Sequence, residues 1–320
     1  MKTIRVLAVA ALTILFAFSM IGCGEEADYD QVEFALSSEF QQREDGLSNL
    51  EETYNVEWPS SDQVVIELGL SYQAVGEGEA DVGHGDATEG RIAAFDLHVL
   101  EDDKGAYPAY NPAPVVRGEI MDEYPELEEE FREVSQRLDM ETLQELNKEI
   151  TVEDRQPEDV AEEWLLDEGL IDDEAPEVDP DKEDTPIVVS GKTFPEALFF
   201  GSLTAQYLED LGYDVVDETG LGETAVIRPA IESAEIDVYW EYTGTGLFNV
   251  MEHDEVVSDE DECWELIRAW DRENNNLVWL DYAPANNTFV IFTNQQRYEE
   301  HGWETISDMV EYVKEQTGQE

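Results

Sequence analysis

Residues 187–217 run Ile-Val-Val-Ser-Gly-Lys-Thr-Phe-Pro-Glu-Ala-Leu-Phe-Phe-Gly-Ser-Leu-Thr-Ala-Gln-Tyr-Leu-Glu-Asp-Leu-Gly-Tyr-Asp-Val-Val-Asp. The apolar start reads as a strand over Ile187 to Ser190, and Gly191-Lys192-Thr193 as a turn. A helix from about Pro195 to Leu211 and a strand near Tyr213 to Asp217 complete a β-α-β unit. Downstream, a second such unit runs through Ala225 to Val238. A helix near Asp259 to Trp270, strands at Leu277 to Leu280 and Thr288 to Thr293, and a helix at Ile306 to Gln316 follow. Upstream, a strand is expected at Val32 to Leu36 and a helix at Leu47 to Tyr54. Glu119 to Leu138, Thr142 to Ile150 and Pro157 to Leu166 read as acidic amphipathic helices. Residues 172–186 hold three prolines, many charges and little that is apolar, which is the composition of a linker. Strands alternating with helices in this way argue an α/β fold.

The chain has 320 residues, and its 42% hydrophobic content suffices for a large core or two lobes. Against 17 Lys and Arg stand 79 Asp and Glu, a net charge of −62. Seven Trp and thirteen Tyr argue against an acidic disordered chain. Phosphate binding needs a basic surface, so nucleic acid is excluded as a partner. Repulsion within such a surface is screened at high salt, where the Debye length falls to about 3 Å at 1 M. The composition therefore points to a saline medium and a halophile.

Residues 1–22 read as a signal peptide: Lys2 and Arg5 form a basic start, Val6 to Met20 an apolar run too short for an ordinary membrane span, and Ile21-Gly22-Cys23 a cleavage site. Met20-Ile-Gly-Cys23 resembles a bacterial lipoprotein box. That resemblance implies a lipidated Cys23 that anchors the mature chain to the outer face of the cytoplasmic membrane, with residues 23–27 as a spacer. A plain signal peptide or an uncleaved anchor is the alternative. Cys263 is the only other cysteine and reads as a buried thiol.

Chemical motifs are sparse. Gly191-Lys192-Thr193 lacks the glycine that a phosphate loop needs five positions earlier, where Pro186 stands. Lys192 nonetheless sits at a strand-to-helix turn suited to an anion. His84, Asp86 and Glu89 match no familiar metal-ligand spacing, so no metal is assigned. No nucleophile elbow, cysteine–histidine pattern or cofactor motif is found, which excludes an enzyme and leaves no cofactor to assign. The segments Asp237-Val-Tyr-Trp-Glu-Tyr-Thr-Gly-Thr245 and Asn286-Asn-Thr-Phe289 place aromatic rings, hydroxyls and amides at strand ends.

Those two segments, with Ser190-Gly-Lys-Thr-Phe-Pro-Glu196, resemble the signatures of substrate-binding proteins of ABC importers for glycine betaine, choline and related quaternary-amine osmoprotectants. Glu39 to Gly46, Thr88 to Ile92 and Leu100 through Asn111 are similar to further family segments. The likeness covers nearly all of residues 30–170 and 187–320, but in the reverse of the family's usual order, so the chain resembles a circularly permuted member.

The resemblance implies an α/β, two-lobed periplasmic-binding-protein-like fold of type 2 with the ligand cleft between the lobes. One lobe would comprise residues 28–110 plus 285–320. The other would be 111–284, containing the linker 172–186. It implies an aromatic cage of Tyr242, Phe289, Asp86 and Tyr110, with the carbonyl of Asn287 facing the methyl groups. Lys192, Arg43 and Thr245 would hold a betaine carboxylate. Phe289 stands where a Tyr is usual and Asp86 where an aromatic is common. The expected role is an extracytoplasmic, membrane-anchored receptor that delivers glycine betaine or a related quaternary amine to ABC permease subunits for osmoprotection. A receptor selective for choline or another osmolyte, and a sensory or scaffold binding domain without transport, are the alternatives.

Overall fold

A computed structural model describes residues 31–42, 46–172, 176–183, 185–253 and 256–319. The expectations at residues 1–30, including Cys23, and at Arg43 lie outside the described residues. Its strands are β1 (Phe34–Leu36), β2 (Gln63–Val65), β3 (Val82–Asp86), β4 (Leu97–Leu100), β5 (Pro112–Arg117), β6 (Ile187–Gly191), β7 (Val215–Thr219), β8 (Val238–Tyr242), β9 (Leu277–Trp279) and β10 (Phe289–Asn294). They form two sheets, ordered β2-β1-β3-β10-β4 and β7-β6-β8-β5-β9. In the first, β1 runs parallel to β2 and β3, while β10 is antiparallel to β3 and β4. In the second, β6 runs parallel to β7 and β8, while β5 is antiparallel to β8 and β9. Each sheet thus has one antiparallel strand inserted next to a parallel set.

The chain passes between the sheets after β4 and again after β9. These two crossings are bound to each other. The Asn111 amide donates to the carbonyls of Ala283 (3.2 Å) and Ala285 (3.1 Å), the Tyr110 N–H to Asn286 Oδ1 (2.9 Å), and the Asn287 N–H to the Tyr110 carbonyl (3.1 Å). Backbone polar groups that would otherwise be buried without partners are satisfied there.

Helices cover both sheets because each sheet is apolar on both faces. Phe34, Leu36, Leu50 and Ile291 share one cluster with Ile306, Met309, Val310 and Val313 of the helix Ile306–Thr317, so the two ends of the described chain pack together. In the second sheet, Val189, Val238 and Trp240 pack on one face against Phe131, Leu165, Phe199 and Phe200. Ala113, Val115 and Tyr239 face the other way, toward Ile227, Ile267 and Trp279. Each such large apolar side chain contributes about 1.5–3 kcal/mol when buried.

Two local expectations are corrected. The helix expected over Glu119 to Leu138 is broken into Gly118–Glu123 and Leu127–Ser135. Tyr124 precedes Pro125, which disfavours helical backbone at the residue before it; Tyr124 has ψ 70. Its single hydroxyl proton is shared between the carbonyls of Lys182 and Thr185, both at 3.1 Å. The strand expected at Tyr213 to Asp217 begins at Val215, because Gly212, at φ 82, turns the chain just before it. The described part of residues 172–186 carries no helix or strand. It is nevertheless held to the turn that precedes β7: the Asp179 N–H donates to the Gly212 carbonyl (2.8 Å), and Lys182 Nζ sits 3.5 Å from the centre of the Tyr213 ring.

Candidate functional site

The strand directions decide where side chains converge. Parallel strands β3, β6 and β8 end at Asp86, Gly191 and Tyr242. Antiparallel pairing sets Phe289, the first residue of β10, opposite Asp86, and Pro112, the first of β5, opposite Tyr242. Tyr110 and Asn287, just before those two strands, therefore reach the same end. Ligands of open α/β sheets bind at the carboxyl ends of parallel strands. A cavity of about 500 Å³ lies there, with walls from both sheets.

Seven of the eight residues singled out from the sequence line this cavity: Asp86, Tyr110, Lys192, Tyr242, Thr245, Asn287 and Phe289. The eighth, Arg43, lies outside the described residues. The Phe289 ring stands 5.8 Å from that of Tyr110 and 5.7 Å, edge-on, from that of Phe40. Phe194 lies 6.0 Å from Tyr242 on the opposite wall. Lys192 is not solvent-facing. It is 4% exposed, its ammonium is 2.5 Å from Glu241 Oε1, and it lies 5.5 Å from the centre of the Tyr242 ring. The Asp86 backbone N–H donates to the Tyr72 hydroxyl (2.7 Å), which fixes the turn after β3.

Sequence reasoning missed several lining residues. Phe40 and Phe194 add aromatic faces, and His84 is buried with its ring stacked on Phe40 at 4.0 Å. Glu196 is the largest omission. This carboxylate is 4% exposed and accepts from the hydroxyls of Thr88 (2.6 Å) and Tyr242 and from the amides of Asn147 (2.5 Å) and Asn287 (3.2 Å). Burial raises its pKa, and the surrounding donors work against that rise. Tyr242, buried beside it, is pushed well above the ordinary tyrosine range, first by burial and then by the Glu196 charge. Glu196 and Thr88 both stood within quoted motifs. Among 79 acidic residues, nothing local distinguished this one.

Part of the remaining polar wall is internally paired. Glu89 bonds Arg91 at 3.0 Å and accepts from the Thr151 hydroxyl at 2.7 Å, and Glu223 accepts from Thr193. The cavity thus combines π faces with carboxylates, and its lysine already has a counter-ion.

The family described as "Substrate binding domain of ABC-type glycine betaine transport system" matches residues 24–167 and 185–319. The chain belongs to this family. Members are substrate-binding domains of transporters and not enzymes, and the two-sheet architecture is their two-lobed periplasmic-binding-protein-like fold. The glycine-betaine-binding protein of Pseudomonas aeruginosa is 39% identical over 140 residues, 44% of this chain and 45% of that protein. The glycine betaine-binding protein YehZ of Escherichia coli is 36% identical over 132 residues, 41% of this chain and 43% of that one. The carnitine transport binding protein OpuCC of Listeria monocytogenes is 31% identical over 121 residues, 38% of this chain and 39% of that protein. The matched stretch spans less than half the length of each of these relatives.

Proposed function

We propose that this member of the family is an extracytoplasmic receptor, lipid-anchored at Cys23, that encloses glycine betaine or a related quaternary amine and delivers it to ABC permease subunits. The observation that carries this reading is the convergence of Phe40, Tyr110, Tyr242 and Phe289 on one cavity. A trimethylammonium group is cationic but has no hydrogen to donate, so aromatic faces hold it best, each worth about 0.5–2 kcal/mol. In this reading Tyr110, Tyr242, Phe289 and Asp86 surround the methyl groups with the Asn287 carbonyl, while Lys192, Arg43 and Thr245 meet a ligand carboxylate. The lobes are residues 28–110 plus 285–320 and residues 111–284, hinged at the two crossings. The placement of β10 beside β3 supports this division, and the family match in two separate stretches fits a circular permutation.

A choline-selective receptor is the second reading. It is favoured by the carboxylate of Asp86 at the cavity wall and by the pairing of Lys192 with Glu241, which reduces the attraction for a ligand carboxylate. Calorimetric titration in about 1–3 M salt, where self-repulsion is screened, with betaine, choline, carnitine and ectoine tests both. Saturable heat with betaine supports the first reading, and heat with choline alone the second. A folded protein that binds none of the four removes the proposal.

A further inference from the structure

Glu196 stands where the two lobes meet. Two of its donors, Thr88 after β3 and Asn287 before β10, belong to the side of the first sheet. The other two, Asn147 on the helix Met140–Thr151 and Tyr242 at the end of β8, belong to the side of the second. Each carboxylate oxygen takes one hydroxyl and one amide: Oε2 from Thr88 and Asn147, Oε1 from Tyr242 and Asn287. A carboxylate has about four acceptor directions, and here protein donors occupy them all.

The seam around it is equally close. Residues 87–91 lie along the helix Met140–Thr151. Gln144 donates to the Ala87 carbonyl (2.8 Å), Asn147 to that of Thr88 (2.9 Å), and Arg91 to that of Thr151 (3.2 Å). At Gly90 a Cβ would fall 2.3 Å from the backbone of Lys148, so only glycine permits this approach. Gly90 has φ −63 and ψ −20, a conformation open to any residue, so its glycine is required by the neighbouring lobe and not by its own backbone.

We propose that Glu196 is a protein-to-protein latch that holds the two lobes together without the ligand, and that the Gly90–Lys148 contact is the seam it closes. Charge-assisted hydrogen bonds from both lobes converge on one buried oxygen pair, which makes closure stable before any ligand contributes. Glu196 is a positioning residue in this scheme, since its acceptor directions are already filled. The inference stands on the two-lobed fold and not on which amine binds.

Glu196→Gln is the sharp test because it keeps the shape and reverses one end of the group. The Asn287 Oδ1 accepts from the Thr88 N–H (3.2 Å), and the Asn147 NH₂ also donates to the Thr88 carbonyl, so both amides are fixed with NH₂ toward residue 196. Either orientation of a glutamine then sets an NH₂ against an NH₂. Gly90→Ala attacks the same seam sterically, from the other lobe. Small-angle X-ray scattering of the ligand-free chain in about 1 M salt, where self-repulsion is screened, reads lobe opening as an increased radius of gyration. Circular dichroism reports whether the lobes themselves remain folded. Both variants are expected to open at unchanged circular dichroism, with the open-to-closed ratio raised for Glu196→Gln about tenfold to a hundredfold by the loss of a charged hydrogen bond. A wild-type radius for Glu196→Gln overturns the latch, and a wild-type radius for Gly90→Ala overturns the seam. Should Glu196→Gln fail to fold, Thr88→Val, which removes a single donor, decides the latch by the same two outcomes.

Discussion

The ammonium of Lys192 lies 2.5 Å from the carboxylate of Glu241, with the two side chains 4% and 0% exposed. Glu241 is further held by the Tyr242 N–H (2.8 Å) and the Tyr239 hydroxyl (3.4 Å), so it cannot swing away to leave the lysine free. The charge at the turn after β6 is therefore matched inside the protein. Removing one member of a buried pair strands the other, at a cost of about 3–5 kcal/mol. Glu241→Gln is expected to lower stability measured by denaturant unfolding. It should also raise affinity for betaine relative to choline, because only betaine has a carboxylate to meet the released ammonium. Equal changes for the two ligands in calorimetry would show that Lys192 does not face the ligand carboxylate.

The aromatic walls lead to a second expectation. Tyr110→Ala and Phe289→Ala should each weaken binding of a quaternary amine by roughly 1–2 kcal/mol, about tenfold, through loss of a π face. Phe289→Tyr should change affinity little. Tyr242→Ala should cost more than either, since it also removes a donor from Glu196. A folded Tyr110→Ala protein with wild-type affinity would take that ring out of the site.

Asp86 separates the betaine and choline readings. A carboxylate about 4 Å from a ligand cation gains of order 4 kcal/mol at an effective dielectric near 20, before desolvation is subtracted. It would repel the carboxylate of a zwitterion. Asp86→Asn retains the side-chain shape and the Asp86 backbone bond to Tyr72. The expected result is weaker choline binding with betaine unchanged or improved. An unchanged choline-to-betaine ratio assigns Asp86 to the turn alone.

Cys263 is fully buried, its thiol directed at the Ala109 carbonyl at 3.6 Å, and burial pushes its pKa up to about 11. The thiolate is the reactive form, and at pH 8 a thiol with that pKa is ionised at only about one part in a thousand. In a Cys23→Ser background, alkylation of the native chain by iodoacetamide should be slow and should accelerate on unfolding in denaturant. Rapid stoichiometric alkylation under native conditions would contradict the burial.

The β-α-β unit at 187–217 could be read from its residues, and seven lining residues of the cavity from local motifs and the family resemblance, but the strands between Tyr54 and Gly118 could not. The helix Leu47–Tyr54 was legible from its apolar spacing, and the turn after β6 from a strand followed by Gly191-Lys192. Tyr242 and Phe289 were legible because strand ends carry site residues, and a local motif is enough to mark a strand end, whereas Asp86 entered only through the family resemblance. The remainder depends on contacts between elements far apart in the chain. Glu196 meets Thr88 across 108 positions of chain and Asn147 across 49. In a chain with 79 acidic residues, composition cannot tell a buried carboxylate from a solvated one. What distinguishes Glu196 is the donors that surround it, and those arrive from separate elements only when the lobes pack. The same holds for Gly90, whose backbone any residue could adopt and whose missing side chain matters only because Lys148 lies opposite.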